Sequence, residues 1–304
     1  MTRGRGTAAG TGGPRRAPAP ARGLRRAVPR PEHGQVEVST GTASLVPDDD
    51  GRGGWTMFVN GVPSSHVDLH DPLRLDFEYV RWAAMVLDLV AGQGHPLRVT
   101  HLGGAGCTLP RYVAATRPGS HQVVLELDPQ VLEYAKESFG LRSGRALRLR
   151  AVDGRAGLGC LDAGSQDVVL RDAFLGSTVP RHLTTVEFLD EVLRVLRPDG
   201  VYLANLADSQ RMDHARQEAA TAACRFEHVA LVAEPAHFSG RRYGNFSGRR
   251  YGNVLLVASR RELGLPALVR RLACDPVRAR LLSGDEVMSF VQGVHPRRDR
   301  QTGS

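Results

Sequence analysis

Lysine is nearly absent from this 304-residue chain: Lys136 is its only lysine among 40 Lys and Arg residues. An arginine-for-lysine skew of this kind reflects GC-rich coding and gives no ground for a binding adaptation. Cysteine is scarce too. The four present (Cys107, Cys160, Cys224, Cys274) form no Cys-x-x-Cys pair, so neither a disulfide framework nor a metal site is expected. Reduced thiols in a cytoplasmic protein are the expectation. No apolar run approaches the ~20 residues that a membrane span requires. The arginines near the N-terminus are followed by Ala, Pro and Gly rather than by an apolar segment, which argues against a secretory signal.

The net charge of +8 would fit a nucleic-acid-binding protein, but its location does not. Residues 1–30 hold eight arginines and no acid, so the remainder of the chain is formally neutral. The excess sits on a Gly/Ala/Pro/Arg tail that cannot form a core, and residues 1–33 are expected to be a disordered basic tail. No broad basic face is left for nucleic acid.

The most informative stretch runs Val99-Thr100-His101-Leu102-Gly103-Gly104-Ala105-Gly106-Cys107, then an amphipathic run, then Val123-Val124-Leu125-Glu126-Leu127-Asp128. It reads as strand, glycine loop, helix, strand, acid. Gly103, Gly104 and Gly106 permit a tight turn and close approach of a ligand to the backbone. Glu126, about 20 residues past the loop, stands where a carboxylate takes both hydroxyls of a ribose. There is no third glycine in dinucleotide order and no Lys-Ser/Thr pair for phosphates. A nucleoside without phosphates, such as S-adenosylmethionine or a relative, suits such a loop.

Upstream, Gln35–Ser39, Thr42–Val46, Trp55–Asn60 and Val62–Asp68 read as short strands, with Asn60-Gly61 a hairpin dipeptide. Arg74–Ala91 has helical spacing, with Leu75, Tyr79, Trp82, Met85 and Leu89 on one face. From Val99 onward strands and helices alternate. Helices are expected at Thr108–Ala115, Pro129–Phe139, Thr184–Leu196 (from a Thr184…Glu187 capping box) and Ala215–Ala223. Strands are expected at Leu147–Val152, Asp167–Leu170, Val201–Leu206, His228–Ala233 and Val254–Ser259. Leu265–Ala273 and Asp275–Leu282 read as short helices, with a third after Ser283 and a basic tail at the end.

This alternation implies an α/β fold with a doubly wound, mainly parallel sheet whose ligands sit at the strands' carboxyl ends. Gly103–Gly106, Glu126, Asp153 and Asp172 all fall at such ends. The expected organisation is the tail 1–33, a β-hairpin segment 34–73, a Rossmann-like nucleoside-binding domain 74–262, and C-terminal helices with a basic tail 263–304. Phe238–Asn245 recurs unchanged as Phe246–Asn253, which reads as a tandem duplication within a hairpin.

In its order of motifs the chain resembles the spermidine synthase (polyamine aminopropyltransferase) family, in the shortened form of high-GC bacteria. The motifs are a hairpin segment with Asn60-Gly61-Val62, the glycine loop, Glu126-Leu127-Asp128, Asp153-Gly154, and Asp172 before Val179-Pro180. The glycine loop and Glu126-Leu127-Asp128 are shared with class I S-adenosylmethionine methyltransferases, which have the same Rossmann-like fold. The resemblance implies that decarboxylated S-adenosylmethionine, or S-adenosylmethionine itself, binds at Gly103, Gly104, Gly106, Glu126, Asp128, Asp153 and Gly154. Glu126 would take the ribose and Asp153 with Gly154 the adenine edge. Asp172 would accept the proton of a small-molecule amine substrate. Polyamine biosynthesis and a possible homodimer follow from it, alongside the expectation of no membrane and no metal.

The amine half departs from the family. Gly106 stands where the family has Asp, Ser64 where it has Gln, and Asp76 where a Tyr begins a Tyr-x-Glu segment that keeps Glu78. Ser64, Asp76 and Glu78 remain the candidates for substrate binding. Phe174-Leu175-Gly176 replaces a second Asp, for which Asp68, Asp71, Asp76 and Asp208 are possible substitutes. Two other readings stay open: an S-adenosylmethionine-dependent methyltransferase, and a non-catalytic nucleoside-binding protein.

Overall fold

The computed structural model describes residues 31–104, 106–176, 178–209, 211–239 and 252–300. The tail 1–30 and most of the duplicated unit lie outside these.

The chain begins with a four-stranded antiparallel meander: β1 (Gly34–Val38), β2 (Gly41–Pro47), β3 (Gly54–Val59) and β4 (Val62–Asp68). Asn60 and Gly61 both have positive φ, +51° and +73°, the geometry of the hairpin turns that match strand twist. Alternate residues Ala43, Leu45, Met57 and Val67 turn inward and are almost fully buried.

The remaining elements are α1 (Glu78–Val90), β5 (Arg98–Gly103), α2 (Thr108–Thr116), β6 (His121–Glu126), α3 (Pro129–Phe139) and β7 (Leu147–Ala151). Next come α4 (Gly154–Gly159), β8 (Gln166–Asp172), a 3-10 turn (Arg181–Leu183), α5 (Val186–Val195), β9 (Leu196–Asp208) and α6 (Asp213–Ala223). The series closes with β10 (His228–Ala233), α7 (Pro235–Ser239), β11 (Gly252–Ser259), α8 (Leu265–Leu272), β12 (Arg280–Ser283) and α9 (Asp285–Phe290). The large sheet has the order β12-β10-β11-β9-β8-β5-β6-β7. Its β7, β6, β5, β8 and β9 are parallel, and β11, β10 and β12 are antiparallel.

The direction of winding reverses between β5 and β8, the place where open α/β sheets bind ligands. There Gly103 pairs in register with Asp172. A Cβ on Gly103 would lie 2.3 Å from the Asp172 carbonyl oxygen, so only glycine allows these strand ends to approach. Helices cover both sheet faces. Val168 and Leu170 pack with α1, α2 and α8, whereas Val169 packs with α5 and α6. The meander packs on α3 through Met57, Val67, Val131 and Phe139.

Three local expectations are corrected. Residues 275–282 form no helix. Asp275 is buried, and its carboxylate receives Arg81 from α1 at 2.9 and 3.0 Å and the N–H of Val277 at 2.9 Å. Pro276 follows this turn, and the chain then extends to pair with β10 as β12. The cap of α5 is Thr185, whose Oγ1 accepts from Phe188 N at 3.2 Å; Thr184 instead donates to the Arg181 carbonyl. Glu187 accepts from the N–H of Asp299 at 2.8 Å. Residues 294–300, expected as a tail, lie along α5 and α6: Arg297 O accepts from Val186 N, and Arg297 N donates to Thr221 Oγ1.

Among the described residues, no helix is long and apolar enough to cross a membrane.

Candidate active site

A cavity of about 650 Å³ opens at the carboxyl ends of β5, β6 and β8, with the meander as one wall. Its lining includes Gly103, Gly104, Glu126, Asp128, Asp153, Gly154 and Asp172, together with Ser64, Asp76 and Glu78. The one candidate outside it is Gly106. Its N–H donates to Ser65 Oγ at 3.2 Å, and a Cβ there would meet Ser65 Cβ at 2.4 Å, so Gly106 serves packing of the loop against β4. Cys107, next in the chain, is buried in a left-handed conformation with φ +56°. Burial, and then the charge of Glu126, pushes its thiol up to about 12.

Glu126 ends β6 facing the cavity. Its Oε1 accepts from Asp128 N at 3.1 Å. Burial, reinforced by the charges of Asp128 and Asp172, raises its carboxyl to about 7 against the backbone N–H groups that favour its charge. Asp128 is spoken for structurally. Its Oδ1 caps α3 through Gln130 N and Val131 N, while its Oδ2 accepts from Thr40 N and Oγ1 at 2.7 and 2.8 Å. It ties the meander to the sheet, and these bonds outweigh burial and hold its carboxyl below the usual range. Asp153 caps α4 with Oδ1 and offers Oδ2 to His182 Nε2 at 2.7 Å.

Asp172 ends β8 at the centre of the site. Tyr79 Oη donates to its Oδ2 at 2.8 Å, and Asn205 Nδ2 donates to its Oδ1 at 2.9 Å. Burial raises the Asp172 carboxyl above its ordinary value despite both donors and the charge of Arg171. Arg171 itself turns to the opposite face, where it is fully buried against Glu218 at 2.6 Å.

Tyr79, Asn205 and Asn253 were not singled out as site residues from the sequence. Position 76 holds Asp; the tyrosine that reaches Asp172 is Tyr79, the second residue of α1. The signal for it was present, since Tyr79 lies on the buried face of the predicted helix. Asn205 and Asn253 lie within apolar strands, and nothing local distinguishes them. Of the four substitutes for the missing acid, only Asp76 lines the cavity.

Six carboxyl side chains line this cavity (Asp76, Glu78, Glu126, Asp128, Asp153, Asp172), and no Lys, Arg or His does among the described residues. Apolar surface completes it: Leu127 and Leu175 stand on its wall, 53% and 57% exposed. The arrangement suits a cationic ligand with one flat apolar part.

No family model matches the chain. It is similar over 90% of its length to the solved structure of a probable spermidine synthase from Corynebacterium glutamicum ATCC 13032, with 34% identity, a TM-score of 0.81 and 99% of that chain covered. The chain belongs to the spermidine synthase family. Over 46% of its length it is also 33% identical to the polyamine aminopropyltransferase of Vibrio vulnificus (strain CMCP6), matching 47% of that protein. The match thus spans about half the length of this curated relative. A segment of 122 residues is 33% identical to the eEF1A lysine and N-terminal methyltransferase of Homo sapiens, covering 36% of this chain and 18% of that enzyme.

Proposed function

We propose that this protein is a cytoplasmic aminopropyltransferase of polyamine biosynthesis, which binds decarboxylated S-adenosylmethionine and transfers its aminopropyl group to a small amine. The observation that carries this reading is the cavity lined, among the described residues, by six carboxyl groups and no basic side chain. Both substrates of aminopropyl transfer are cations. S-adenosylmethionine would bring its methionine carboxylate among these acids, with no basic side chain among the described lining residues to meet it. An unpaired charge in such surroundings is costly.

In this reading Glu126 accepts the ribose hydroxyls, and Asp153 with Gly154 receives the adenine edge. Gly103 and Gly104 let the nucleoside approach the backbone. The amine nitrogen attacks the methylene next to the sulfonium, the new C–N bond forms, and the C–S pair leaves on sulfur as neutral methylthioadenosine. The proton of the attacking amine passes to Asp172. Its burial raises its basicity, and Tyr79 and Asn205 fix both of its oxygens. A base positioned in this way contributes about 10²–10⁴-fold. Alignment of nitrogen, carbon and sulfur supplies the rest, since the leaving group is already good.

The test is release of methylthioadenosine from decarboxylated S-adenosylmethionine with a panel of amines. Release dependent on an amine is expected. Methyl transfer from S-adenosylmethionine, with no release from the decarboxylated form, would replace this reading with the methyltransferase one.

A further inference from the structure

The segment after α9 joins neither sheet, yet it reaches the cavity wall through a chain of polar contacts. Against α6 and the start of α5, Arg297 donates from N to Thr221 Oγ1 at 2.9 Å and from Nη1 to Thr184 Oγ1 at 2.8 Å. Its carbonyl accepts from Val186 N at 2.8 Å. Asp299 follows. Its N–H donates to Glu187 at 2.8 Å, and its Oδ1 accepts from Thr185 Oγ1 at 2.8 Å. Both its carboxylate oxygens then meet Arg155 of α4, at 3.1 and 2.9 Å. An isolated exposed ion pair is worth little. This one is two-pronged, which fixes geometry as well as charge, and it belongs to a network. The bond from Arg155 lowers the Asp299 carboxyl below its ordinary value against burial, and the Thr185 bond adds to it.

Arg155 carries the restraint to the cavity. It is the second residue of α4, and its N–H, with that of Ala156, fixes Asp153 Oδ1 at 3.0 Å. Its Nη1 donates to His182 O at 3.4 Å. His182 Nε2 stands 2.7 Å from Asp153 Oδ2, which closes a ring of contacts through Arg155. The 3-10 turn that carries His182 leans on the same segment, because Arg181 Nη2 donates to Arg298 O at 3.2 Å. Asp153 and Leu183, the last residue of that turn, both line the cavity.

Building on the proposed nucleoside site, we infer that Asp299 and Arg155 are positioning residues that set the selectivity of the cavity for adenine, by holding Asp153 Oδ2 where it accepts from the exocyclic amino group. The C-terminal segment is then a working part of the base pocket. A loosened Asp153 no longer separates an amino group from an oxo group at that position, although only the amino group can donate to a carboxylate.

The experiment compares methylthioadenosine with methylthioinosine, in which an oxo group replaces the amino group of the base, by calorimetry. The proteins are wild type, Asp299→Ala, Arg155→Ala, the double variant, and Arg155→Lys, which keeps the charge but not the two-pronged pair. Wild type should prefer the adenine nucleoside by about tenfold or more, the worth of a hydrogen bond to a charged group. Each variant should lose most of that preference through weaker methylthioadenosine binding. The double variant should lose no more than either single one, as residues acting in series do. Thermal melting checks folding, and Arg155→Lys decides where Asp299→Ala does not fold. A preference that survives in the folded variants overturns the inference and leaves Asp153 as the acceptor of adenine. Equal weakening of both nucleosides also overturns it, since general loosening gives that result. Wild type without a preference overturns the base assignment and the inference together. Selectivity that depends on Asp299 in a protein without turnover supports the inference and removes the proposed reaction.

Discussion

His182 Nε2 stands 2.7 Å from Asp153 Oδ2, on the carboxylate proposed to receive the adenine. The His182 backbone is itself anchored: its carbonyl accepts from Arg155 at 3.4 Å, and Arg155 makes a two-pronged pair with Asp299 of the C-terminal segment at 3.1 and 2.9 Å. The end of the cavity proposed to bind the base therefore depends on residues almost 150 positions apart in sequence. A carboxylate oxygen can accept two hydrogen bonds, so the ring and an adenine amino group can share Oδ2. His182→Ala should weaken methylthioadenosine binding by about 1 kcal/mol, the usual worth of one such bond, as read by calorimetry. Unchanged affinity would mean that the α4 N–H groups alone orient Asp153.

Glu126 predicts a pH dependence of nucleoside affinity. In the empty site burial raises its carboxyl to about 7. Ribose hydroxyls donate to the ionised form and so lower that value in the complex. Affinity is therefore full above about pH 7 and falls as pH drops below it, by up to about tenfold per unit, until the value in the complex is reached. Glu126→Gln should remove this dependence and cost about 1.5–3 kcal/mol. Titration calorimetry between pH 5 and 8 measures both; a flat wild-type profile contradicts the ribose assignment.

Asp172 and Tyr79 predict separable kinetic losses. Asp172→Asn should keep methylthioadenosine binding and lose about 10²–10⁴-fold in rate. Tyr79→Phe removes a donor that favours the ionised carboxylate, so the Asp172 value rises further. The rate requires that carboxylate deprotonated, so the acidic limb of the pH–rate profile should shift to higher pH. A limb that stays in place in Tyr79→Phe would show that Asp172 is not the group titrating.

Gly103 and Gly104 both have positive φ, +79° and +87°, but only the first is hemmed in. Gly104→Ala meets nothing within 4 Å and should cost about 1–2 kcal/mol, the backbone penalty alone. Gly103→Ala adds a collision with the Asp172 carbonyl and should be more destabilising by a further ~1–3 kcal/mol, as core overpacking is. Chemical denaturation of the two variants ranks them; equal losses would mean that the β5–β8 junction yields freely.

How far the sequence disclosed this site follows from the range of each interaction. Strand ends, the glycine loop and Glu126 are encoded by local pattern, and the βαβ alternation placed them correctly at the switch point. Gly106 carried the right residue type, but its role was settled by Ser65, 41 positions away. Asp128 looked like part of the nucleoside site; Thr40, from a different sheet, shares in engaging it. Glu78 was within view, yet its partner Asn253 lies 175 residues later, in a strand whose pattern is simply apolar. The supposed helix at 275–282 failed for the same reason, since Arg81 fixes Asp275 from across the fold. Helical periodicity is a weak guide where a buried ion pair sets the turn and a sheet edge is open beside it.

The buried thiol of Cys107 gives the glycine loop a built-in reporter. Thiol reagents attack the thiolate, and a group raised to about 12 supplies almost none at neutral pH while it is enclosed. Cys160, Cys224 and Cys274 are exposed. Labelling should therefore be biphasic, three thiols reacting promptly and the fourth at the rate at which the loop opens. Because that loop adjoins the cavity, a bound nucleoside should slow the last phase in proportion to occupancy. The opening equilibrium of the site is thus measurable without a probe being introduced.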